Sequence, residues 1–133
     1  MKIAKKLFFS ILFIIYSLLL VTGCGVADGG KVTAKDVLKQ NSDADIFQYN
    51  GFVYSNMTEV EWFEKEKEKY IKQNILGEIE KQSTSSLGFK DFTATKLPVG
   101  TKIYLASKNE QDLGILIIEY EGKDLYYMAL LEG

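Results

Sequence analysis

Residues 46–54 read IFQYNGFVY, and they carry the strongest local structural signal in the chain after Cys24. The Asn-Gly pair at its centre tolerates positive φ at both positions, which a type I′ turn requires. Aromatic and branched residues flank the pair on both sides, as they do in paired strands. The stretch therefore predicts a β-hairpin with a two-residue turn.

Downstream of the hairpin, apolar runs of strand length alternate with turn signals. We expect strands at residues 75–81, 113–120 and 125–131, and another that follows the turn at Pro98 and Gly100. Residues 82–88 read as a loop, and residues 121–124 join the last two strands as a hairpin. Because that last hairpin is so apolar, it is expected to be the central pair of the sheet.

A short helix is expected ahead of the first hairpin, over residues 34–40. Thr33 is a candidate N-cap, and Asp36 stands three residues later, where a capping box places its acid. A second and longer helix is expected over residues 58–73. Its own capping box would be Thr58 with Glu61, and acid–base pairs at i,i+4 spacing would support it.

These elements together predict a small α+β domain. It would consist of a mostly antiparallel, curved sheet of about six strands with one or two helices, and one helix would pack on a face of the sheet. The chain of 133 residues is long enough for one such domain.

The first 23 residues read as a secretory signal peptide. Three Lys lie in the first six residues, an apolar run spans residues 7–21, and small residues precede Cys24. The alternative is an uncut transmembrane anchor, although a spanning helix needs about 20 apolar residues. Both interpretations place the rest of the chain outside the cytoplasm, because the Lys cluster precedes the apolar run.

Residues 20–24, LVTGC, resemble the lipobox of bacterial lipoprotein precursors. The resemblance implies cleavage after Gly23 and attachment of acyl chains, such as palmitate, to the Cys24 thiol. Two or three acyl chains hold a protein stably in a membrane, whereas one gives only marginal binding. We therefore expect a signal peptide at 1–23, a lipidated Cys24 with a flexible tether over 24–31, and a single extracytoplasmic domain over 32–133. The domain would be held on the outer face of the cell membrane.

The rest of the chain resembles small lipoproteins of Bacillus-like bacteria. The resemblance is carried by DADIF at 43–47, LPVGT at 97–101 and the final residues EG. It implies the same location in the cell envelope. It brings no activity and no functional residue with it.

Composition excludes several classes of function. From Cys24 onward there are 13 Lys and 18 Asp or Glu, a formal charge of −5, so the basic footprint of a nucleic-acid-binding protein is missing. The chain has no His and no Arg, which excludes imidazole catalysis and bidentate guanidinium recognition. Its single Cys excludes an internal disulfide and a cysteine metal cluster. No catalytic residue, metal or cofactor is predicted.

A partial calcium-loop pattern occurs just before the first hairpin. Asn41, Asp43 and Asp45 match its first three ligand positions, but Ile46 and Phe52 stand where the loop needs Gly and Glu. The match therefore fails at two required positions, and weak calcium binding outside the cell is left open.

Trp62 is the candidate for a binding surface. If Val60 and Phe63 face the core, Trp62 points sideways or outward, where an aromatic ring favours contact with a partner. Alternatively, it only covers the rim of the core.

We expect a non-enzymatic binding module for an envelope protein or cell-wall ligand. A small cell-wall enzyme that uses carboxylates such as Glu78 and Glu80, and an inhibitor or immunity-type lipoprotein, are the alternatives.

Overall fold

A computed structural model describes residues 31–107 and 113–131. All of them belong to one compact unit that begins at Lys31. The signal region and Cys24 lie outside the described residues, so export and lipidation remain predictions. In the described ranges, no helix combines the length and the apolar character needed to cross a membrane.

The described residues form a sheet with short helices. Helix α1 spans Ala34–Gln40, helix α2 spans Glu61–Glu64, and a single 3₁₀ turn spans Lys67–Lys69. The eight strands are β1 (Ile46–Tyr49), β2 (Phe52–Asn56), β3 (Ile75–Glu78), β4 (Lys81–Gln82), β5 (Thr93–Ala94), β6 (Lys102–Leu105), β7 (Ile115–Tyr120) and β8 (Lys123–Ala129). The α+β class is confirmed, but the described sheet has eight strands and not the six expected. The two additional strands are β4 and β5, which have only two residues each.

The hairpin predicted from residues 46–54 is confirmed. Strands β1 and β2 pair antiparallel with Tyr49 opposite Phe52. Asn50 and Gly51 have φ of 52° and 79°, which is the left-handed geometry that a type I′ turn demands. The Gly51 N–H donates to Oδ1 of Asp91 at 3.0 Å, so a distant loop fixes the position of the turn.

The sheet has the order β3-β6-β7-β8-β2-β1-β5-β4, and every neighbouring pair is antiparallel except β4 with β5. Its two end strands are successive parts of one segment, residues 75–82. The Ile79 N–H donates to the Thr101 carbonyl beside β6, and the next N–H, of Glu80, donates to the Phe92 carbonyl beside β5, both at 2.8 Å. One segment therefore joins both ends of the sheet, and the sheet curls until it closes on itself.

Gly77 allows this closure. Its φ of +156° and the register shift beside it mark a bulge in β3. A Cβ at this position would lie 2.6 Å from Cε1 of Phe92, so only glycine lets the ring approach so closely. The aromatic ring fills the space between β3 and the short strand β5.

The inside of the curled sheet forms the main core. Its buried members come from strands all round the sheet: Phe47, Tyr54, Ile79, Ala94, Leu97, Ile103, Leu116, Ile118 and Tyr127. The rings of Phe47 and Tyr54 stack at 5.2 Å between centroids, and the Tyr127 ring lies 5.0 Å from that of Phe47. The sheet thus fills its own concave face without a helix.

Two separate clusters cover the outer face. Over β1 and β2, helix α1 and the residues after it bury Ala34, Ala44, Ile46 and Val53. Over β6, β7 and β8, residues 57–73 enclose a cluster of Phe63, Ala106, Ile115 and Ile117. The segment expected to cover the last hairpin as a helix does pack against it, but on the outer face of the sheet, and only short parts of the segment are helical.

The prediction of one helix over residues 58–73 is wrong. Only α2 and the 3₁₀ turn are helical, and the N-cap of α2 is Val60, which makes no side-chain capping bond. The Thr58 hydroxyl instead accepts the Tyr126 N–H of β8 at 2.9 Å. Lys72 pairs with Glu119 and Asp124 of the last hairpin, and not with Glu68, its expected partner at i,i+4 spacing. The chain stays irregular because its polar groups bond to the sheet.

The last hairpin lies inside the sheet, but it is not the central pair that was expected. Strand β8 occupies one of the two middle positions, but the other belongs to β2, and β7 comes next to β8. Glu121 and Gly122 form a two-residue turn with φ of 50° and 75°, shorter than the four-residue loop expected. Strand β8 therefore begins at Lys123, two residues earlier than predicted.

Candidate interaction surfaces

The carboxylates of the partial calcium loop do not form a cation site. Oδ1 of Asp43 accepts the Lys96 ammonium at 2.8 Å. Asp45 accepts the Tyr127 hydroxyl at 2.9 Å and the side-chain amide of Asn56 at 2.9 Å. The two side chains therefore have separate sets of partners. Among the residues that the structure describes, no group of three His, Cys, Asp or Glu side chains could hold a metal ion.

The Asp45 cluster has a structural explanation. Tyr127 is fully buried. Burial, and then the negative charge of Asp45, raise the pKa of the Tyr127 hydroxyl above its ordinary value. The hydroxyl thus remains a hydrogen-bond donor, and it satisfies the carboxylate above the aromatic core. The cluster fixes the start of β1 against β2 and β8.

The two carboxylates considered for a cell-wall enzyme lie at the surface. Glu78 and Glu80 are both exposed, on either side of the fully buried Ile79. Glycoside hydrolysis needs two carboxyl groups that face one bound sugar in a shielded cleft. The placement of these two side chains offers no such shielding.

Trp62 lies on α2, next to the most deeply buried residue of the segment 57–73. Its side chain is 55% exposed, whereas Phe63 is fully buried. The two rings are nearly perpendicular, at 88°, with centroids 6.0 Å apart. Trp62 therefore contacts the buried ring of Phe63 while about half of its own surface faces water.

Aromatic packing fastens this segment at Phe63. The ring of Phe63 lies 5.9 Å from the Tyr70 ring, which is stacked on it, and 5.5 Å from the Tyr126 ring of β8. The backbone is held at both ends as well, since the Met57 N–H donates to Tyr126 at 2.8 Å and the Gln73 N–H donates to Leu105 at 2.7 Å. The segment is thus fixed to the sheet although it is mostly irregular.

A charged cluster adds a further attachment at Lys72. Its ammonium lies 2.9 Å from Glu119, 3.1 Å from Asp124 and 5.1 Å from the centroid of the Tyr104 ring. The hydrogen bonds that Lys72 donates to Glu119 and then to Asp124 raise the pKa of Lys72, and the same pairing lowers the pKa of Glu119. All the partners belong to the sheet, so the cluster serves to hold the segment in place.

The surroundings of Trp62 are polar. Glu64 pairs with Lys67 at 2.8 Å, and Glu66 pairs with Lys69 at 2.7 Å, both at i,i+3 spacing. Glu61, also exposed, forms no ion pair within the described residues. The exposed aromatic ring is thus flanked along the chain by charged residues, the kind of residue that forms the polar rim of many protein interfaces.

A second surface borders α1. An open groove of about 890 Å³ is lined by Val32, Asp36, Val37, Lys39, Gln40, Asn41, Ala44, Ser55, Leu130 and Leu131. Lys31 pairs with Leu131 in an isolated antiparallel bridge, so the start and the end of the described chain lie at this groove. Its open shape suits contact with another surface better than enclosure of a small ligand.

No protein-family model, curated protein or solved structure matches this chain. Of the sites predicted from sequence, Trp62 lies on a described surface, and Cys24 is outside the described residues. Sequence reasoning missed the groove, because the closeness of Leu131 to Lys31 depends on a pairing across 100 residues.

Proposed function

We propose that this protein is a lipid-anchored, non-enzymatic binding module of the cell envelope, and that the Trp62 surface contacts its partner. The Trp62 surface means the outward side of α2, with Trp62 and the charged residues on either side of it. The observation that carries the proposal is a half-exposed tryptophan on a segment that is fixed to the sheet.

Fixing the segment before binding favours affinity. A side chain or loop that becomes ordered only in the complex costs free energy, and an anchor held in advance avoids much of this cost. Here Phe63 and Lys72 hold the segment from two sides while the Trp62 ring stays accessible. Tryptophan is also among the residues that contribute most to binding energy at interfaces.

The anchor is supported by the sequence around Cys24. Changing Cys24→Ser removes the thiol that accepts the lipid, so we expect an unlipidated precursor from which the signal peptide is not cleaved. Mass spectrometry of protein extracted from membranes would detect both changes. An unmodified Cys24 in the native protein would contradict the anchor.

The Trp62 surface can be tested in the producing cell. A photo-crosslinking amino acid at position 62 should give discrete adducts with a partner, because that position lies in the proposed contact. Leu87 is a matched control, since it is a large apolar residue with 84% exposure on a different loop. Adducts that are absent at position 62, or equal at 62 and 87, would refute this surface.

A simpler measurement tests the accessibility of Trp62 itself. It is the sole tryptophan of the chain, so fluorescence reports a single site. We expect a red-shifted emission maximum and ready quenching by acrylamide. A blue, protected signal would mean that Trp62 only seals the core.

A further inference from the structure

Charge is unevenly distributed along the sequence from Lys31 onward. Residues 31–41 contain three Lys and one Asp, whereas residues 42–133 contain ten Lys and sixteen Asp or Glu. The segment that leaves the tether is therefore basic, with a formal charge of +2, on a domain whose remainder carries −6. The basic segment includes all of α1.

The three lysines of this segment are exposed. Lys35 and Lys39 are one helical turn apart and so share a side of α1, away from Ala34 and Leu38, which pack on the sheet. Lys31 lies beside the β1–β2 turn, and its ammonium is 4.8 Å from the centroid of the Phe52 ring. None of the three forms a salt bridge with the described residues.

The acid within this segment is already engaged. The Asp36 carboxylate accepts the Thr33 N–H at 3.1 Å and the Thr33 hydroxyl at 2.8 Å, which completes the capping box. Lys31, Lys35 and Lys39 therefore remain available to an outside anion. Leu131, 64% exposed at the groove beside them, adds an apolar contact.

We propose that this basic face, Lys31, Lys35 and Lys39 with Leu131, lies against the anionic headgroups of the membrane that holds the lipid on Cys24. The inference rests on the proposed anchor. Six residues separate Cys24 from Lys31, and they span roughly 20 Å when extended, at about 3.5 Å each. The face is therefore held near the membrane by its own tether.

Electrostatics gives the domain one preferred orientation. Anionic lipid attracts Lys side chains within about a Debye length, roughly 8 Å at physiological ionic strength, and repels the acidic remainder of the domain. The outer cluster over β6, β7 and β8, where the Trp62 surface lies, covers a different part of the sheet from α1. The membrane and a protein partner can therefore be bound at once.

The test measures the accessibility of lysines in the full lipidated protein. The protein is reconstituted in vesicles of phosphatidylcholine alone, or of phosphatidylcholine with phosphatidylglycerol, and treated briefly with an amine-acetylating reagent. Mass spectrometry then gives the labelling of each lysine. On the anionic vesicles we expect labelling of Lys31, Lys35 and Lys39 to fall about threefold or more, and high salt should restore it.

Exposed lysines outside the basic face provide the internal control. Lys90 and Lys123 should label equally on both vesicles. The double variant Lys35→Glu/Lys39→Glu should lose the protection of Lys31, whereas Lys90→Glu/Lys123→Glu should keep it. Equal labelling of the wild-type basic face on both vesicles would overturn the inference. This comparison uses only the wild-type protein, so it does not depend on whether a variant folds.

Flotation of the vesicles separates the two proposals. Protein that floats with the vesicles but shows no protection keeps its anchor and refutes the basic face alone. Protein that does not float lacks the lipid, and both proposals then fail. Protection confined to the anionic vesicles supports the inference.

Discussion

Helix α1 and the segment 57–73 begin with the same sequence signal, a Thr three residues before an acid, but only α1 becomes the helix predicted. At α1, Thr33 and Asp36 exchange the reciprocal bonds of a capping box. In the other segment, Thr58 lies beside β8 and its hydroxyl accepts the Tyr126 N–H. A capping signal therefore produces a helix only where the sheet does not take up the same side chain.

Phe63→Ala should have the largest effect, because it removes the buried ring that holds the segment 57–73 on the sheet. Fully buried Phe→Ala changes cost about 3–5 kcal/mol, and we expect a loss of that size in the free energy of unfolding. Urea denaturation followed by circular dichroism would measure it. Trp62→Ala is the neighbouring control and should cost less than about 1 kcal/mol. Equal losses would show that the segment is not fastened at Phe63.

Thr58→Val tests whether the Thr58 hydroxyl serves the sheet. The change keeps the shape of the buried side chain but leaves the Tyr126 N–H without its acceptor, which costs about 1–3 kcal/mol. Hydrogen exchange at the Tyr126 amide should become faster, while α1 is unaffected. Thr58→Ser retains the hydroxyl and should retain most of the protection. Unchanged exchange in the Val variant would mean that the Thr58 hydroxyl does not accept the Tyr126 N–H, and the predicted capping role of Thr58 would then stand.

Gly51→Val tests the hairpin beneath α1. A β-branched residue resists the φ of 79° found at this position, and the expected cost is about 1–2 kcal/mol. Thermal melts would record the loss. Gly51→Asn should cost less, since Asn tolerates the left-handed region. If the two variants melt alike, backbone strain is not the cause.

Thr33→Ala should have the smallest effect, about 1 kcal/mol at neutral pH, and that effect should depend on pH. Hydrogen bonds from Thr33 hold the pKa of Asp36 below its ordinary value of 3.8. The ionised carboxylate therefore stabilises the fold above that value, and the contribution is lost as the pH falls through the lowered pKa. The difference between wild type and variant should shrink in acid. A stability difference between wild type and variant that stays constant down to pH 2 would mean that the Asp36 carboxylate does not contribute to the cap.

The parts of the fold that could be predicted depend on neighbouring residues. The Asn50-Gly51 turn and the Thr33–Asp36 cap are each complete within a few positions, so their chemistry can be read directly. The segment 57–73 could not be predicted in this way. Its Thr58 hydroxyl bonds to a residue 68 positions away, and Lys72 bonds to one 47 positions away. No periodicity within the segment carries that information.

The candidate surfaces also combine features set by neighbouring residues with features set by residues far apart in the sequence. The outward position of Trp62 could be inferred from the inward position of its neighbour Phe63. The three lysines of the basic face can also be read from the sequence, but its apolar partner Leu131 joins it only through a pairing with Lys31. Strand β5 was missed because two residues are too few to form a pattern, and β4 was not separated from the strand expected over 75–81.

The position of β8 constrains when this domain can fold. It is the last strand of the described residues, yet it lies in the middle of the sheet, with β7 on one side and β2 on the other. Until residues 123–129 are free, strands β3, β6 and β7 on one side and strands β2, β1, β5 and β4 on the other lack the strand that pairs with both β7 and β2. A chain emerging N-terminus first, from a ribosome or through a translocation pore, therefore completes its sheet only once residues 123–129 are released.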